Sequence, residues 1–474
     1  MPGINKGLLR RRDFVGFGAV TLGSAFLAAC EQSADAIFSP LAAKRPLSAR
    51  ATSPTRNPLR IPSTASASGL TLTAAPGKAG LGGTYESNAL LYNGQFPGPS
   101  VIANSGSTAT IHFVNDLTQP SITHWHGMVV DHEDDGHPLQ AVGPGFSYDY
   151  EFPIAQRAAL NWYHPHPHMH TGEQVYYGLA GAFIIRDEEE AALNLPSGAY
   201  EVPLIIRDAS FDSSGNLKLG GKASGFFGTD SLVNGTRYPY LSVDKAIYRF
   251  RILNGSNARV FRLALSNNAS FTLIGNDGGL LASAVSAAEV TMAPAERIDI
   301  VVDLRQLDAN SSVMLRCLDA GWDILELRGT GAVISGQSIP SGTLSSITPL
   351  VGPATVTRRF SFDGMTRING LIYDMNRTDF TVKRDTVERW QFVTNGNAPH
   401  PVHVHGASFQ IQSRAGGRRT TFPWESGWKD TVLLGDRETV EVLIRFDRAG
   451  LYLIHCHQLA HEDQGMMSNF LVEN

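Results

Sequence analysis

Near its C-terminus the chain reads Ile454-His455-Cys456-His457-Gln458-Leu459-Ala460-His461-Glu462-Asp463-Gln464-Gly465-Met466. Neutral imidazole and thiolate are ligands that copper favours, and two histidines with one cysteine and a weak axial methionine are typical of a blue-copper site. The apolar run 451–454 predicts a β-strand that ends near residue 457. Because side chains alternate between the faces of a strand, Cys456 would point to one side, and His455 and His457 to the other. One strand could therefore contact two metal centres.

Three further histidine clusters could complete such centres: His124-Trp125-His126, His164-Pro165-His166 and His400-Pro401-Val402-His403-Val404-His405. By the same alternation His403 and His405 share a strand face, whereas His400 is predicted to precede the strand and to turn elsewhere. Two clusters lie before residue 170 and two after residue 399. A site that uses all of them must form where the two ends of the chain meet. The alternative, a buried strand with incidental histidines, leaves the other clusters unexplained.

In this order, and with the spacing H-C-H-x3-H-x4-M, the four motifs resemble those of the multicopper oxidases, which include laccases, bilirubin oxidases, bacterial cuprous oxidases and the spore-coat laccase. The resemblance implies an all-β chain of three consecutive cupredoxin-like Greek-key β-sandwich domains, and four copper ions. His124 and His403 would hold the type 2 copper. The type 1 copper would be held by His400, Cys456 and His461, with Met466 as axial ligand. The type 3 pair would be held by the other six histidines: His126, His164, His166, His405, His455 and His457.

The resemblance also implies the partners of the reaction. A small reducing substrate would give up electrons one at a time at type 1 copper, and the trinuclear cluster would reduce dioxygen to water. Two carboxylates are candidate proton carriers: Glu462, which directly follows His461, and Asp135, which lies eleven residues after His124, where the family places an acid beside type 2 copper. Carboxylates can also orient metal-binding imidazoles. The alternative for each is an ordinary surface acid.

The composition agrees with a sandwich fold. The chain has 47 glycines and 25 prolines, and many short runs rich in Val, Ile, Thr and Phe are bounded by turn residues. We predict domains over residues 66–190, 191–345 and 346–474. The middle domain has no histidine between His170 and His400, so it is predicted to be a spacer or scaffold. Its segments 249–254 and 293–297 resemble the middle domain of three-domain members.

The N-terminus predicts export. Arg10-Arg11-Arg12-Asp13-Phe14 precedes an apolar run that is too short to span a bilayer, which is typical of a twin-arginine signal peptide over residues 1–29. Leu27-Ala28-Ala29-Cys30 resembles a lipobox, with ordinary cleavage as the alternative. Residues 30–65, rich in Ala, Ser, Pro and Arg, predict a flexible tether. The expected location is the periplasm or cell envelope, with a lipid at Cys30 as the only membrane anchor.

The net charge and the cysteines limit the partners and the disulfide bonds that the chain is expected to have. The formal net charge is −5, and nothing in the sequence predicts nucleic-acid binding. After Cys30 only Cys317 and Cys456 remain, and a disulfide between them would destroy the type 1 site, so we expect none. The cluster His164-Pro165-His166 is extended by His168, Met169 and His170, which could bind extra copper or simply be exposed.

Two substrate classes compete. One is phenols, aromatic amines or pigments, as in laccases; the other is Cu(I). The enterobacterial type of cuprous oxidase carries Asp and Met just before the first type 1 histidine, where this chain reads Gly396-Asn397-Ala398-Pro399, and no methionine-rich run occurs among its nine methionines. Cu(I) favours such thioether ligands, so the sequence favours the organic substrates. A copper-free scaffold, like the cell-division protein of this fold, would have lost the ligands that this chain retains.

Overall fold

A computed structural model describes residues 55–221, 225–396 and 399–474, which fold mainly as β-strands. The predicted signal peptide, the possible lipid site at Cys30 and the pair Asn397 and Ala398 lie outside the described residues. Three large hydrophobic cores follow one another along the chain, each enclosed by its own strands. The predicted all-β architecture of three consecutive sandwiches is therefore confirmed. In the described part of the chain, no helix has the length and apolar character needed to cross a membrane.

The first sandwich pairs a five-stranded sheet, of order β2-β5-β10-β9-β7, with a four-stranded sheet, of order β4-β3-β6-β8. Alternation builds its core: Ala109, Ile111 and Phe113 are buried along one strand while the residues between them face outward. Its elements are β2 (Thr64–Ser66), β3 (Ser68–Gly82), β4 (Tyr85–Tyr92), β5 (Ser100–Asn104), β6 (Thr108–Asn115), β7 (Thr123–His126), β8 (Ser147–Pro153), β9 (Ala159–Pro165), α1 (Thr171–Tyr177) and β10 (Gly181–Arg186). The preceding strand β1 (Asn57–Pro58) belongs to a sheet of the second sandwich.

The second sandwich has a seven-stranded sheet, of order β13-β12-β11-β15-β20-β17-β18, and a six-stranded sheet, of order β1-β14-β22-β21-β16-β19. Its elements are α2 (Glu188–Ala191), β11 (Glu201–Ala209), β12 (Asp230–Val233), β13 (Thr236–Arg237), β14 (Pro239–Lys245), β15 (Ile247–Asn254), β16 (Phe261–Leu265), β17 (Phe271–Asn276), β18 (Gly279–Ala287), β19 (Glu289–Met292), β20 (Arg297–Asp303), β21 (Ser312–Cys317) and β22 (Trp322–Val333).

The third sandwich has two five-stranded sheets, of order β24-β23-β26-β30-β28 and β25-β32-β31-β27-β29. Its elements are β23 (Thr357–Asp363), β24 (Arg367–Ile368), β25 (Phe380–Lys383), β26 (Val387–Val393), β27 (His400–Val404), β28 (Phe409–Gly416), β29 (Thr431–Leu434), β30 (Glu438–Arg445), β31 (Gly450–Cys456), α3 (Leu459–Asp463) and β32 (Met467–Glu473). Short 3-10 turns lie at Pro138–Gln140, Gly198–Tyr200 and Pro423–Glu425.

Two predictions about local structure were wrong. The flexible tether predicted for residues 30–65 is wrong in its last part, where two strands are present. Strand β1 pairs with β14 and β2 pairs with β5, so the backbone of both segments is hydrogen-bonded into sheets. His400 does not precede the strand but is the first residue of β27. Since residues 400, 402 and 404 then share one strand face, His400 lies with Val402 and Val404 on the side of the third core.

Candidate metal centres

The cross-strand register of the third domain separates two sites. Strands β27 and β31 are antiparallel neighbours in which Val402 faces Cys456 and His403 faces His455. Val402 and Cys456 are buried in the third core. The paired histidines lie on the opposite face of the same two strands, because adjacent residues of a strand point to opposite sides. One pair of strands thus presents a thiol to one face and imidazoles to the other.

The imidazole face meets the first domain. His124 and His126 lie in β7, and His164, next to last in β9, pairs with His124. Nε2 of His124 lies 3.4 Å from Nε2 of His403, and Nε2 of His164 lies 3.4 Å from Nε2 of His457. The structure therefore brings residues near the two ends of the chain into one cluster. Its eight members are all buried: His124, His126, His164, His166, His403, His405, His455 and His457.

Hydrogen bonding fixes which nitrogen faces the cluster. Nδ1 of His124 donates to the carbonyl oxygen of Asp135 at 2.6 Å, and Nδ1 of His403 donates to that of Asp430 at 2.8 Å. A carbonyl only accepts, so each Nδ1 carries the proton and each Nε2 presents a lone pair. Burial lowers the pKa of both imidazoles well below the usual range, which keeps them neutral. Two lone pairs that face each other in a buried site fit a bound cation.

Other histidines of the cluster also approach each other through their Nε2 atoms. Nδ1 of His405 lies 2.6 Å from Oδ2 of Asp135, and the Nε2 atoms of His405 and His455 approach to 3.1 Å. Nε2 of His166 lies 3.4 Å from Nε2 of His455. Burial lowers the pKa of His166 to about 4, so this imidazole is also neutral at physiological pH. Neutral imidazole is the form that binds metals.

His126 is oriented differently. Its Nε2 lies 3.0 Å from Oδ1 of Asp430 and 3.1 Å from Oγ1 of Thr431. Its buried Nδ1 has no hydrogen-bond partner among the described residues. His126 therefore offers Nδ1 to the cluster, whereas His124 and His403 offer Nε2.

The second centre lies in the core of the third domain. Sγ of Cys456 is 3.5 Å from Nδ1 of His400 and 3.6 Å from Nδ1 of His461, and all three side chains are fully buried. Met466 is buried in the same core, and its backbone bonds to both Cys456 and His461. Burial raises the pKa of the Cys456 thiol far above its ordinary value, so a thiolate here needs a cation beside it. This set of soft and imidazole ligands fits copper.

Asp135 is a buried acid rather than a surface one. Its main chain accepts from His124 and its carboxylate contacts His405, so one residue orients two imidazoles. Gly136 permits this approach, since it has φ 77° and a Cβ there would lie 2.2 Å from the carbonyl oxygen of Thr123. Burial raises the pKa of the Asp135 carboxyl well above its ordinary range.

Glu462 is buried too, next to the other side of the cluster. Its Oε2 lies 3.2 Å from Nδ1 of His455 and its Oε1 lies 3.6 Å from Nε2 of His166. Burial by itself raises the pKa of Glu462, but the His166 and His455 imidazoles outweigh it and hold the pKa below its ordinary value. The ordinary-surface-acid alternative is excluded for both carboxylates.

Sequence reasoning missed three residues that orient His126 at the cluster: Asp430, Thr431 and Arg297. Asp430 and Thr431 contact His126, and Arg297 binds Asp430 through both carboxylate oxygens. Only the resemblance of segment 293–297 to other middle domains drew attention to Arg297. His168 and His170 join none of the groups of possible metal ligands among the described residues. Cys317 and Cys456 are both free thiols, as predicted.

Known proteins match this chain over most of its length. Residues 74–190 and 348–474 each match a family model described as multicopper oxidase. The multicopper oxidase mco of Staphylococcus haemolyticus is 35% identical over 415 residues, which cover 85% of this chain and 88% of the relative. The bilirubin oxidase of Albifimbria verrucaria is 34% identical over 412 residues, covering 80% of this chain and 72% of the relative. The McoA multicopper oxidase of the hyperthermophile Aquifex aeolicus superimposes with a TM-score of 0.82 at 37% identity, covering 89% of this chain and 100% of that one.

Three cupredoxin-like sandwiches with buried thiol and imidazole centres define a copper-dependent oxidoreductase that uses dioxygen. The chain belongs to the multicopper oxidase family.

Proposed function

We propose that this protein is a laccase-like oxidase, which couples the one-electron oxidation of phenols or aromatic amines to the four-electron reduction of dioxygen to water. The observation that carries the proposal is the pairing of two buried centres by adjacent residues. Cys456 belongs to the thiol centre, and its covalent neighbours His455 and His457 belong to the histidine cluster. An electron accepted at one centre thus has a covalent path to the other.

Four copper ions are proposed. Type 1 copper would be held by His400, Cys456, His461 and Met466, and type 2 copper by His124 and His403. The type 3 pair would be held by His126, His164, His166, His405, His455 and His457. When bound, copper supplies one-electron acceptance at the thiolate and dioxygen reduction at the histidines. The neutral imidazoles supply lone pairs without a proton to displace.

Glu462 and Asp135 are proposed to hold and move protons for the reaction. Because its pKa lies below the ordinary range, Glu462 is ionised at rest, so it can take up a proton on Oε1 or Oε2 beside His166 and His455 and release it again, inside a site closed to bulk solvent. Asp135 has one carboxylate oxygen against His405, while its Oδ1 has no hydrogen-bond partner among the described residues. That free oxygen can take a proton while the other keeps the ligand oriented.

An apolar surface next to the thiol centre favours an aromatic substrate. Leu371 and Ile372 are exposed at 47% and 46%. Ile372 packs against the turn that follows His461, since a Cβ added to Gly465 would lie 2.7 Å from its Cγ2. Aromatic rings bind apolar surface, whereas hydrated Cu(I) needs thioether or imidazole donors. The predicted export signal over residues 1–29 would place this oxidation in the periplasm or cell envelope.

Steady-state rates on a phenol and on Cu(I), measured side by side with the copper-loaded protein, test this assignment. We expect faster turnover of the phenol. Replacing Leu371 and Ile372 by serine should raise KM for the phenol several-fold and leave the rate on Cu(I) unchanged, because only the aromatic substrate needs the apolar surface. Val351→Ser, at another exposed apolar residue, is the matched control and should change neither rate. Faster oxidation of Cu(I) by the parent protein would instead assign it to the cuprous oxidases.

A further inference from the structure

The orientation of His126 depends on a carboxylate outside the proposed ligand set. Oδ1 of Asp430 lies 3.0 Å from Nε2 of His126, and the main-chain oxygen of Asp430 accepts from Nδ1 of His403. Thr431 donates to Oδ1 of Asp430 at 2.9 Å. One residue between two ligand-bearing strands therefore contacts an imidazole of the first domain and one of the third.

Arg297 of the middle domain holds that carboxylate in place. Its Nη1 bonds to Oδ1 of Asp430 at 2.7 Å, and its Nη2 bonds to Oδ2. The rest of the guanidinium bonds to main-chain oxygens of Leu160 in the first domain, and of Ala295 and Asp277 in the second. A guanidinium has five N–H donors in a rigid fork, and here every nitrogen is bonded. The side chain is completely buried and contacts all three domains.

The ion pair between Arg297 and Asp430 explains which atom His126 offers to a metal. Each oxygen of Asp430 accepts from Arg297, so the carboxylate is held in place as an acceptor that faces His126. His126 must then donate Nε2–H to Oδ1, which leaves its Nδ1 as the lone pair. Thr431 also contacts Nε2 of His126, but a hydroxyl can donate or accept, whereas the carboxylate can only accept and so selects this tautomer over the one used by His124.

We propose that Arg297 is a positioning residue of the trinuclear copper site, which fixes Asp430 so that His126 binds copper through Nδ1. The inference rests on the proposed function, because it needs copper in the histidine cluster. It also changes the role of the middle domain. That domain supplies no ligand, yet its strand β20 begins with the residue that sets the geometry of one ligand and joins the three domains at the site.

The test is copper retention by Arg297→Lys. Lysine keeps the charge but cannot bind both carboxylate oxygens and Leu160 at once. Loss of a group that orients a metal-binding histidine typically weakens metal affinity by about 10- to 100-fold. We therefore expect the loaded variant to lose its histidine-bound copper to a chelator at about ten times lower chelator concentration than the parent. The blue absorption of the thiol centre should persist at the parental level, because no residue of that centre contacts Arg297.

Arg249→Lys is the matched control. Arg249 is equally buried, binds Asp299 through both oxygens, and contacts no histidine of the cluster. It should retain copper like the parent while losing similar stability in the copper-free state, as followed by thermal unfolding. Equal copper retention by the two lysine variants would overturn the inference, because Arg297 would then be only a buried ion pair.

Asp430→Asn provides a second variant that preserves size. An amide has one acceptor and one donor group, so it cannot accept from both Arg297 nitrogens and from His126 together. It should show the same chelator sensitivity as Arg297→Lys, and parental retention would contradict the proposal. If the parent protein itself binds copper only at the blue site, the proposed function fails, and the inference fails with it for a different and recognisable reason.

Discussion

Replacing Cys456 by serine is expected to abolish the blue absorption and the oxidase activity together. The hydroxyl does not provide the soft thiolate that binds copper and gives the colour, and the covalent path to His455 and His457 would start at an empty site. The fold should survive, since the change keeps the shape of the side chain and adds one buried hydroxyl, at a cost of about 1–3 kcal/mol. Absorption spectra, oxygen uptake and thermal unfolding of the loaded variant measure these effects.

Cys317→Ser is the matched control for that experiment. Cys317 is an equally buried free thiol, in the core of the middle domain, and burial raises its pKa as it does for Cys456. This variant should lose similar stability but remain blue and active. A Cys456→Ser protein that stayed blue would show that the thiol centre has been assigned to the wrong residue.

Glu462→Gln should separate electron entry from dioxygen reduction. The amide keeps the size of the side chain but cannot carry a proton between His166 and His455. Under anaerobic conditions the substrate should bleach the blue colour at the parental rate, because Glu462 is not part of the thiol centre. On return of air, recovery of the colour should slow at least tenfold, since general acid catalysis typically contributes about 10²- to 10⁴-fold. Asp135→Asn should behave in the same way.

Stopped-flow absorption at both steps measures the two rates. Glu133→Gln, which changes an exposed acid near Asp135, is the control and should leave both steps unchanged. If Glu462→Gln is reoxidised at the parental rate, Glu462 is only a structural neighbour of His461 and moves no proton for the reaction. Slower anaerobic bleaching would mean that the residue serves the thiol centre, which also contradicts the proposal.

The parts of the site that the sequence predicted are those with a local period. Side-chain alternation predicted that Cys456 points away from His455 and His457, and β31 has that arrangement for His455 and Cys456. His457 follows the end of the strand and reaches the cluster through its contact with His164. The H-x-H spacing placed pairs of imidazoles on common faces. His400 was predicted wrongly because it was placed before the strand, whereas β27 begins with it. The final part of the predicted tether was wrong because sheet pairing with distant strands overrides a composition typical of flexible segments.

The parts that could not be predicted depend on contacts between distant segments. Arg297 and Asp430 are 133 residues apart and meet only when the middle and third domains pack together. Neither residue belongs to a repeating pattern, and a buried arginine looks the same in sequence as an exposed one. The middle domain was therefore predicted as a spacer from its lack of histidines, although it supplies the group that holds Asp430 against His126.

The stoichiometry of oxygen uptake tests whether the two buried centres together reduce dioxygen to water. The copper-loaded protein would be supplied with a known amount of a phenol that gives up one electron per molecule, and dissolved oxygen and hydrogen peroxide would be followed together. We expect one dioxygen consumed for every four substrate molecules, with no peroxide formed. One dioxygen consumed for every two substrate molecules, with peroxide accumulating, would contradict an account in which the two buried centres together reduce dioxygen to water.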